Sequence, residues 1–408
     1  MKLNSVCILA IFGWACCGSF VCSCWSQEVA KPVDQDGKQD FVRFATFNIA
    51  FQDPKAGGVA KNLAGGNWSQ AKQVAELIQM IRPDVLLLNE FDYQSDNAGV
   101  DSFVREYLAV AQNGNQPIEY PHVFTAEVNT GIDSGFDLNE DRRTGTANDA
   151  LGYGRHPGQY GMVVLSNREF DRDRIRTFQK FLWKDMPGAR LPIDRASRQS
   201  YYRPKVLEIF RLSSKSHWDL PVQVGDRVVH FLVSHPTPPV FDGPEDRNGR
   251  RNHDEIRLWS DYVKGQADYL YDDRGVKGGL PSGAALSAAF MVAGDLNADP
   301  HDGDSLDKAI MQLLENPMVQ SGFVPESTGG GYWAEQQGGM NTQHAGNPLH
   351  DTGDFPDENV GNMRTDYLIP SRNLKVIDGG VVWPRPGEPG AEAATASDHR
   401  MVWVDVEK

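Results

Sequence analysis

Polar residues that can bind a metal ion or move a proton stand at the ends of apolar, strand-like segments of this sequence. A buried sheet opens to a cleft where its strands end, so side chains in this position can meet around one ligand. A single acid beside a strand is most often a loop cap or a solvated group. Repetition of the setting predicts one shared site, and it occurs at Asn48, Glu90, His235, Asp295, Asn297, Asp398 and His399.

The acidic and amide members of this set suit a hard, oxygen-seeking cation and an activated water molecule. Glu90 follows the apolar run Val85–Leu88 and is the best candidate metal ligand, because Mg²⁺ binds through one or two carboxylates and keeps several waters. Asn48 offers a neutral oxygen ligand or an orienting hydrogen bond. Asp295 is the candidate general base or water-orienting group, and Asn297 points the same way if the chain stays extended. An Asx turn is the alternative interpretation of these last two residues.

The two histidines of the set offer positive charge and proton transfer. A histidine held beside carboxylates stays protonated and can stabilise negative charge, which is the interpretation of His399. Adjacent strand residues point to opposite faces, so Asp398 shares a site with His399 only where the backbone is irregular; a different carboxylate is the alternative partner. His235 ends an apolar segment and precedes Pro236, which suits either a catalytic histidine or a hydrogen-bonded structural one.

Alternating strand-like and helix-like segments supply the elements that position these residues. Residues 41–51 alternate in part and predict a strand, whereas one apolar face along residues 69–81, with Ser69 as N-cap and Pro83 beyond the end, predicts a helix. The further predicted strands are Val85–Leu88, Met162–Leu165, Val206–Phe210, Val228–Val233, Ala289–Ala293, Tyr367–Ile369 and Met401–Val406. The further predicted helices are Phe103–Ala111, Asp254–Tyr271 and Leu306–Leu314.

The composition excludes several classes of chemistry. The formal charge of −15 argues against tight, non-specific wrapping of DNA, although a bound metal ion can still support phosphate contacts inside a cleft. All five cysteines lie at or before Cys24, so the rest of the chain has no disulfide, zinc–thiolate site or cysteine nucleophile. The G-x-S-x-G, H-E-x-x-H and P-loop patterns are absent, which argues against serine hydrolases, zincin proteases and P-loop nucleotidases.

Residues 1–27 predict an export signal. Lys2 precedes an apolar stretch from Val6 to about Val21, which is short for a membrane-spanning helix, and small and polar residues follow. The run ending at Cys24 is similar to a lipoprotein processing box, and this alternative gives a lipid anchor at Cys24 as the one predicted membrane contact. Residues 28–40 predict a polar linker, and residues 41–408 predict one α/β domain.

Seven segments occur in the order known from one superfamily. They are TFNIA (46–50), PDVLLLNEFD (83–92), YGMVVLSN (160–167), VSHPTPP (233–239), AGDLNADP (293–300), RTDYLIPS (364–371) and ASDHRMVWVDV (396–406). The sequence resembles the endonuclease/exonuclease/phosphatase superfamily, which includes deoxyribonucleases, abasic-site endonucleases, sphingomyelinases and inositol-polyphosphate phosphatases. The resemblance implies an α/β fold, a four-layer sandwich of two packed, mainly antiparallel mixed β-sheets flanked by helices.

The resemblance also implies roles for individual residues. It places Asn48 and Glu90 at the metal site, and it lets Asp398 organise the site or bind the metal. It implies that His399 contacts phosphate. It gives His235 the role of general acid toward the leaving group.

Three further residues are candidates for binding substrate or organising the site. An acid at the position of Asp366 is part of the site in nucleases of the family. Tyr160 can donate a hydrogen bond to phosphate, or it can serve as a core or rim aromatic. Arg250, together with Arg247 and Arg251, can grip phosphate or pair with neighbouring acids on the surface.

One acidic loop raises the question of a second ion. Residues 137–141 place oxygen-bearing side chains at alternate positions, as a Ca²⁺ loop does, but Arg142 follows where an EF-hand loop has glycine. Both a structural Ca²⁺ site and a solvated acidic loop are compatible with this segment.

Together these patterns predict an exported, periplasmic or extracellular phosphoric ester hydrolase that depends on Mg²⁺, with Mn²⁺ as an alternative ion. Phosphodiesters, nucleic acid among them, are the favoured substrates, and a phosphomonoesterase acting on a polyol or inositol phosphate is the alternative. The alternative from another class is a non-catalytic binding module, which predicts loss of chemical residues that are all present here: Glu90, Asp295, Asn297 and His399. No stable protein partner is implied.

Overall fold

The computed structural model describes residues 40–280, 288–320 and 322–408. The predicted export signal, the lipid site at Cys24 and all but the last residue of the predicted linker lie outside the described residues. Within the described ranges, no helix is both long enough and apolar enough to cross a membrane. Asp40–Lys408 form one compact unit.

Short strands and helices alternate along the chain. The strands are β1 (Phe41–Phe51), β2 (Val85–Phe91), β3 (His122–Phe124), β4 (Met162–Ser166), β5 (Arg176–Thr177), β6 (His217–Val224), β7 (Arg227–Ser234), β8 (Ala289–Asp295), β9 (Gly353–Asp354), β10 (Asn362–Met363), β11 (Asp366–Pro370), β12 (Val376–Val381) and β13 (Val402–Glu407). The α-helices are α1 (Gly58–Leu63), α2 (Ser69–Ile81), α3 (Ala98–Phe103), α4 (Pro204–Leu207), α5 (Arg247–Lys264), α6 (Met311–Leu314) and α7 (Thr328–Gln337). A π-helical turn covers Val104–Leu108, and 3₁₀ turns cover Ala147–Asp149, Arg172–Arg174, Trp183–Asp185, Leu306–Lys308, Gly339–Thr342, Pro348–His350 and Ala393–Ala396.

Two large sheets form the centre of the molecule. One has six strands in the order β12-β13-β1-β2-β4-β3, and the other has five in the order β11-β8-β7-β6-β5. Each sheet contains one parallel pair, β1 with β2 and β7 with β8, and its other neighbours are antiparallel. The strands β9 and β10 form a separate small hairpin.

Side chains on alternate strand positions build three apolar layers. Phe44 of β1 and Phe231 of β7 face each other between the sheets, with ring centroids 5.4 Å apart. Phe47, on the opposite face of β1, packs with the α2 and α3 layer outside the first sheet. Trp259 of α5 belongs to the core outside the second sheet. The order helix, sheet, sheet, helix confirms the predicted four-layer sandwich.

Strongly patterned segments match their predicted bounds, whereas one short apolar segment does not. The predicted strand 41–51 and helix 69–81 are β1 and α2, although Ser69 is the first helical residue and Trp68 occupies the N-cap position. The predicted strand Val206–Phe210 is wrong, because the helix α4 covers Pro204–Leu207. Pro204 lies in its first turn, where its fixed φ favours a helix and its missing N–H costs nothing.

Helix ends were predicted less well than helix positions. The structure begins α5 seven residues before the predicted Asp254 and ends it at Lys264 instead of Tyr271, with Gly265 in the left-handed conformation. The predicted helix Phe103–Ala111 corresponds to the end of α3 and the π turn after it. The strand β6 was not predicted, because polar residues such as His217 and Asp219 interrupt its apolar pattern although they are buried.

Candidate active site

The site lies where the two parallel strand pairs end. In the first sheet, Asn48 of β1 stands opposite Asn89 of β2, and Glu90 comes next. In the second sheet, β7 and β8 run side by side toward His235 and Asp295. The carboxyl ends of parallel strands lie at one edge of a sheet. The polar residues of both sheets lie at this edge, on the same side of the sandwich.

Two local features bring the ends of the strands close together. Gly294 has φ +146°, and a Cβ there would stand 1.9 Å from the carbonyl oxygen of Ser234, so only glycine permits this approach of β8 to β7. The side-chain oxygen of Asn89 accepts a hydrogen bond from the backbone nitrogen of Asp295 at 3.2 Å, which ties the first sheet to the second. This hydrogen bond joins the ends of β2 and β8, and so the two sheets, at the edge where the polar residues lie.

Asp295 is the centre of the polar cluster. Its Oδ2 accepts a hydrogen bond from Asn48 Nδ2 at 3.1 Å. The Nε2 atoms of His235 and His399 lie 3.4 Å and 3.7 Å from the same oxygen. The Asp295 side chain is only 1% exposed. The structure therefore brings together residues separated by up to 351 positions in the sequence, as the strand-end pattern predicted.

Glu90 joins this cluster through Asn48. The Asn48 Nδ2 atom donates to Glu90 Oε1 at 3.3 Å as well as to Asp295, while its Oδ1 accepts from the backbone nitrogen of Ala50 at 3.2 Å. These hydrogen bonds suit the orienting role considered from the sequence, and the role of metal ligand stays a prediction. Glu90 has φ +58°, a left-handed conformation that is uncommon outside glycine and recurs at functional sites.

His399 is held by Asp366, the alternative partner considered from the sequence. Its Nδ1 lies 2.8 Å from Asp366 Oδ2, and Thr352 Oγ1 donates to the same oxygen at 3.0 Å. The register of β11 with β8 places Asp366 opposite Asp295. Potential ligand atoms of Asp295, Asp366 and His399 all lie within 4.8 Å of one another.

The two histidines have opposite protonation preferences. Burial acts to lower the pKa of His399, but the carboxylates of Asp366 and Asp295 outweigh it and raise this pKa to about 10. For His235, burial lowers the pKa to about 4, and the charge of Lys215 contributes in the same direction. At neutral pH, His399 is therefore a cation and His235 is a neutral imidazole.

The carboxylates also differ. Burial acts to raise the pKa of Asp295, but the charge of His399 and the hydrogen bond from His235 hold it well below the usual range. Burial raises the pKa of Glu90 and that of Asp366. Asp295 is therefore the most stably ionised of the three, while Glu90 and Asp366 would gain from a further positive charge.

Lys215 is a site residue that the sequence reasoning missed. It is 6% exposed, and burial lowers its pKa against the opposing charges of Glu255, Glu90 and Asp295. Among the described residues, no side chain forms a hydrogen bond or ion pair with its ammonium group. It stands in the turn before β6, a strand without a readable pattern, so only the pairing of β6 with β7 reveals its place.

Asn297 and Tyr160 support the rim of the cluster. The backbone nitrogen of Asn297 donates to Asp295 Oδ1 at 3.0 Å, which is the predicted Asx turn, and its Nδ2 donates to the Pro236 carbonyl at 3.1 Å. Tyr160 is half-buried, and burial together with the charge of Glu90 raises its pKa to about 12. Both residues have positive φ, +51° and +56° respectively.

The chain belongs to a recognised family by sequence as well as by geometry. The sequence model of the endonuclease/exonuclease/phosphatase family matches residues 45–399. This protein is a member of the endonuclease/exonuclease/phosphatase family. Members of this family are typically hydrolytic phosphoesterases, and they are generally dependent on divalent metal ions. The comparison with curated proteins finds no match.

The chain is similar to several solved structures at low sequence identity. An endonuclease/exonuclease/phosphatase from Beutenbergia cavernae DSM 12333 is 16% identical, with 90% of this chain and 72% of that chain covered and a TM-score of 0.46. Truncated TDP2 from Caenorhabditis elegans is 16% identical, with 90% and 98% covered and a TM-score of 0.43. The human Nocturnin catalytic domain is 12% identical, with 90% and 93% covered and a TM-score of 0.43.

Two candidate residues from the sequence, Asp398 and Arg250, make hydrogen bonds outside the Asp295 cluster. Asp398 is exposed, and its Oδ1 accepts from Ser397 Oγ at 3.5 Å; in the described part of the chain, no hydrogen bond or ion pair links it to Glu90. Arg250 donates through Nε to the Glu245 carbonyl at 3.1 Å, so its guanidinium faces its own loop. In the described part of the chain, neither residue forms a hydrogen bond or ion pair with Asp295.

The acidic loop 137–141 hydrogen-bonds to itself. Asp137 accepts from the backbone nitrogens of Asp141 and Arg142 at 3.1 Å and 2.8 Å. Asp141 accepts from the backbone nitrogen of Arg143 at 2.8 Å. These bonds describe a folded, solvated loop, and the structural Ca²⁺ site stays a prediction.

The donor set of the cluster fits the divalent cation of the family. Asp295, Asp366 and His399 place possible ligand atoms within 4.8 Å of one another, and Glu90 shares the Asn48 Nδ2 donor with Asp295. Carboxylate oxygens are the ligands that Mg²⁺ and Mn²⁺ prefer. Asp366 Oδ1 is buried and has no hydrogen-bond partner among the described residues. Since burial raises the pKa of both Glu90 and Asp366, a nearby cation would stabilise their ionised forms.

Proposed function

We propose that this protein is a divalent-metal-dependent hydrolase of phosphodiesters. The observation that carries the proposal is the linkage of Glu90, Asp295 and His399 in one polar cluster: Asn48 bonds to Glu90 and Asp295, and His399 Nε2 lies 3.7 Å from Asp295 Oδ2. A binding module that had lost its chemistry would have no reason to retain carboxylates, an imidazolium and a lysine together at one strand edge.

Glu90 would hold the metal ion, and Asn48 would orient the Glu90 carboxylate toward it. Mg²⁺, or Mn²⁺ in its place, supplies positive charge that offsets the repulsion between the phosphoryl oxygens and an incoming nucleophile. Asn48 donates to both Glu90 and Asp295, so it fixes the relative position of the ion-binding and water-binding carboxylates.

Asp295 is the residue that would orient the attacking water. Its low pKa keeps it ionised as a hydrogen-bond acceptor, and Asn48 and His235 fix the direction of its Oδ2 atom. His235 is neutral at this site, so we assign it the positioning of Asp295 in preference to the general-acid role implied by the family resemblance. A proton for the leaving oxygen can be held at Nε2 of His399 instead.

His399 and Lys215 would stabilise charge on the phosphoryl group. The carboxylates of Asp366 and Asp295 favour the protonated form of His399, and the charges of Glu255, Glu90 and Asp295 favour that of Lys215 although burial lowers its pKa. A fixed cation in a poorly hydrated site interacts more strongly with an anion than it does in water. Asp366 holds the His399 ring through Nδ1, which leaves Nε2 directed toward the cleft. The positions of His399 and Lys215 would therefore be fixed by the chain before substrate binds.

Charge matching favours diesters over monoesters. Counted by formal charge, Glu90, Asp295 and Asp366 are three anions, and Lys215 and His399 are two cations. One divalent ion brings the formal charge of this set to +1. A phosphodiester carries one negative charge, whereas a phosphomonoester dianion carries two. Hydrolysis of a polyol or inositol monophosphate is the second candidate, and the assay below separates the two.

The test compares two chromogenic esters. Purified protein, residues 28–408, is assayed with bis(p-nitrophenyl) phosphate and with p-nitrophenyl phosphate, in Mg²⁺, in Mn²⁺ and in excess EDTA. We expect the diester to be cleaved faster than the monoester, and we expect EDTA to abolish both activities. Faster cleavage of the monoester would select the second candidate. Cleavage of neither ester with either ion, by protein shown to be folded by circular dichroism, would contradict the enzymatic proposal.

We also propose that residues 1–27 direct export, either with cleavage near Ser26 or with a lipid anchor at Cys24. Expression of the full chain in a bacterial host, followed by mass spectrometry of the exported fraction, tests this. A mature N-terminus after Ser26 supports simple export, and a lipid-modified Cys24 supports the anchored form. Recovery of only the uncleaved chain in the cytoplasm would oppose both.

A further inference from the structure

Helix α5 carries buried polar side chains that the proposed chemistry does not use. Arg251, Asn252 and Glu255 are 6%, 0% and 0% exposed. A polar group is buried at a cost unless its hydrogen bonds are made inside the protein. Most of their hydrogen bonds go to the backbone of segments that carry site residues; Arg251 also donates to the Leu151 carbonyl, and Asn252 Oδ1 has no partner among the described residues.

Glu255 joins the segment of Lys215 to the segment of His235. One carboxylate oxygen accepts from the backbone nitrogen of Ser214 at 2.5 Å, and the other accepts from that of Thr237 at 2.8 Å. Ser214 immediately precedes Lys215, and Thr237 follows His235 by two residues. A single carboxylate thus fixes the distance between the two segments.

Asn252 joins the segment of His235 to that of Asp295. Its Nδ2 donates to the Thr237 carbonyl at 2.9 Å and to the Leu296 carbonyl at 3.0 Å. Leu296 lies between Asp295 and Asn297, so this amide touches the loop directly after β8. Thr237 is held from both sides, through its nitrogen by Glu255 and through its oxygen by Asn252.

Arg251 holds the backbone segment that precedes Lys215. Its Nε donates to the Leu212 carbonyl at 2.8 Å, and its Nη2 donates to the Ser213 carbonyl at 3.0 Å. The hydroxyl of Ser214 donates to the His235 carbonyl at 3.3 Å, which links the same two segments again. The backbone on the N-terminal side of Lys215 is therefore held at successive residues.

We propose that Glu255 and Asn252 are positioning residues, which set the placement of Lys215, His235 and Asp295 by clamping the backbone of their three segments to α5. The inference rests on the proposed function. Rate depends steeply on such placement, since a displacement of about 1 Å at a reacting group can cost about a hundredfold. The three segments come from separate parts of the sequence, so the helix supplies the common frame that they lack by themselves.

The chain offers a matched control on the same helix. Asp254, next to Glu255, is also 0% exposed, and its Oδ2 accepts from Trp183 Nε1 at 2.7 Å and from the backbone nitrogen of Arg190 at 2.6 Å. Neither donor belongs to a segment that carries a site residue. Glu255→Gln and Asp254→Asn therefore remove equivalent buried charges, but only the first touches the clamp.

The kinetic test measures kcat and KM for bis(p-nitrophenyl) phosphate, together with Tm. We expect Glu255→Gln to lower kcat by about tenfold to a hundredfold. The kcat of Asp254→Asn should stay within about threefold of the parent value at a similar loss of Tm, because this substitution loosens structure outside the site. In a Lys215→Met background, Glu255→Gln should lower kcat much less than it does alone, because Lys215, one of the residues that Glu255 positions, is already absent. Equal kcat losses for the two variants at equal Tm would overturn the proposal.

A second measurement does not depend on activity. Hydrogen–deuterium exchange followed by mass spectrometry should show faster exchange in residues 211–216 and 235–238 for Glu255→Gln and for Asn252→Leu, but not for Asp254→Asn. Unchanged exchange in both segments would overturn the clamp even if the enzyme were active. If the parent protein cleaved no ester while exchange rose as expected, the proposed function would fail and the clamp would stand.

Discussion

Two buried sets of histidine and carboxylate lie on the same five-stranded sheet, and they differ in how completely they are satisfied. In the set around Asp219, the carboxylate accepts from His230 Nδ1 at 2.7 Å and from the Tyr262 hydroxyl at 2.6 Å. Arg176 pairs with Asp272 at 3.0 Å and donates to the Gly278 carbonyl at 2.8 Å. Among the described residues, none of these five side chains has a buried polar atom without a partner.

The set around Asp295 is open by comparison. His235 Nδ1 and Asp366 Oδ1 are buried and lack partners in the described part of the chain, and the Lys215 ammonium has no ion pair there. Glu90 and Asn297 have left-handed backbone conformations. Closed polar networks specify a fold, whereas orphaned groups and strained backbone mark places where a ligand completes the bonding. We therefore expect the first set to serve stability and the second, in line with the proposed function, to serve binding and chemistry.

The largest effect that separates the two sets is expected at Asp295. Asp295→Asn keeps the shape of the side chain but removes the ionised acceptor that orients water, so kcat for bis(p-nitrophenyl) phosphate should fall by at least about a hundredfold. Steady-state kinetics, with circular dichroism to confirm the fold, provides the measurement. The exposed Asp268→Asn is the control. Retention of more than about a tenth of the activity would remove Asp295 from the chemistry.

Lys215 should show the next largest effect. Lys215→Met preserves length and apolar volume but removes the cation, so we expect kcat/KM to fall by about tenfold to a hundredfold. Inhibition by inorganic phosphate should weaken in parallel, because the same charge attracts the free anion. Lys205→Met, at an exposed position, is the control. A normal inhibition constant for phosphate in Lys215→Met would show that the lysine does not face the phosphoryl group.

Glu90 offers a test in which activity and stability move in opposite directions. Burial raises the pKa of Glu90, so its ionised form is unfavourable in the folded protein when no cation is bound. At pH 7.5 in EDTA, Glu90→Gln removes that penalty, and Tm should rise by about 1–3 °C. In Mg²⁺ the variant should be nearly inactive, and it should lose the Mg²⁺-dependent increase in Tm of the parent. A lower Tm in EDTA would mean that Glu90 is a structural residue.

The sequence was sufficient to predict the strand-end residues because their signal is local. Asn48, Glu90, His235 and Asp295 each follow an apolar run that reads as a strand, and parallel strand ends share an edge. The bounds of β1 and α2 were also predictable, because their period extends over eleven and thirteen residues. The four-layer architecture itself came from the family resemblance, not from these periods.

Other parts of the site depend on contacts that no local pattern encodes. The preference of His399 for Asp366 over its neighbour Asp398 follows from the register of β11 against β8. Lys215 precedes a strand whose buried polar residues hide its period. Glu255 lies in the predicted helix as an ordinary polar residue, and Asn252 lies before its predicted start. Only the approach of three distant backbone segments gives them a role.

The smallest effect on activity, and the clearest loss of stability, is expected in the closed set. Asp219→Asn replaces one of the two acceptor oxygens with an NH2 donor, so either Tyr262 or His230 loses its acceptor in a buried site. The free energy of unfolding should therefore fall by about 1–3 kcal/mol. Urea denaturation measures this, and kcat below the unfolding transition should stay within about twofold of the parent, because the set shares no hydrogen bond with the Asp295 cluster. A loss of kcat near that of Lys215→Met, in folded protein, would show that the two sets are coupled through β7 and that the division between stability and chemistry is wrong.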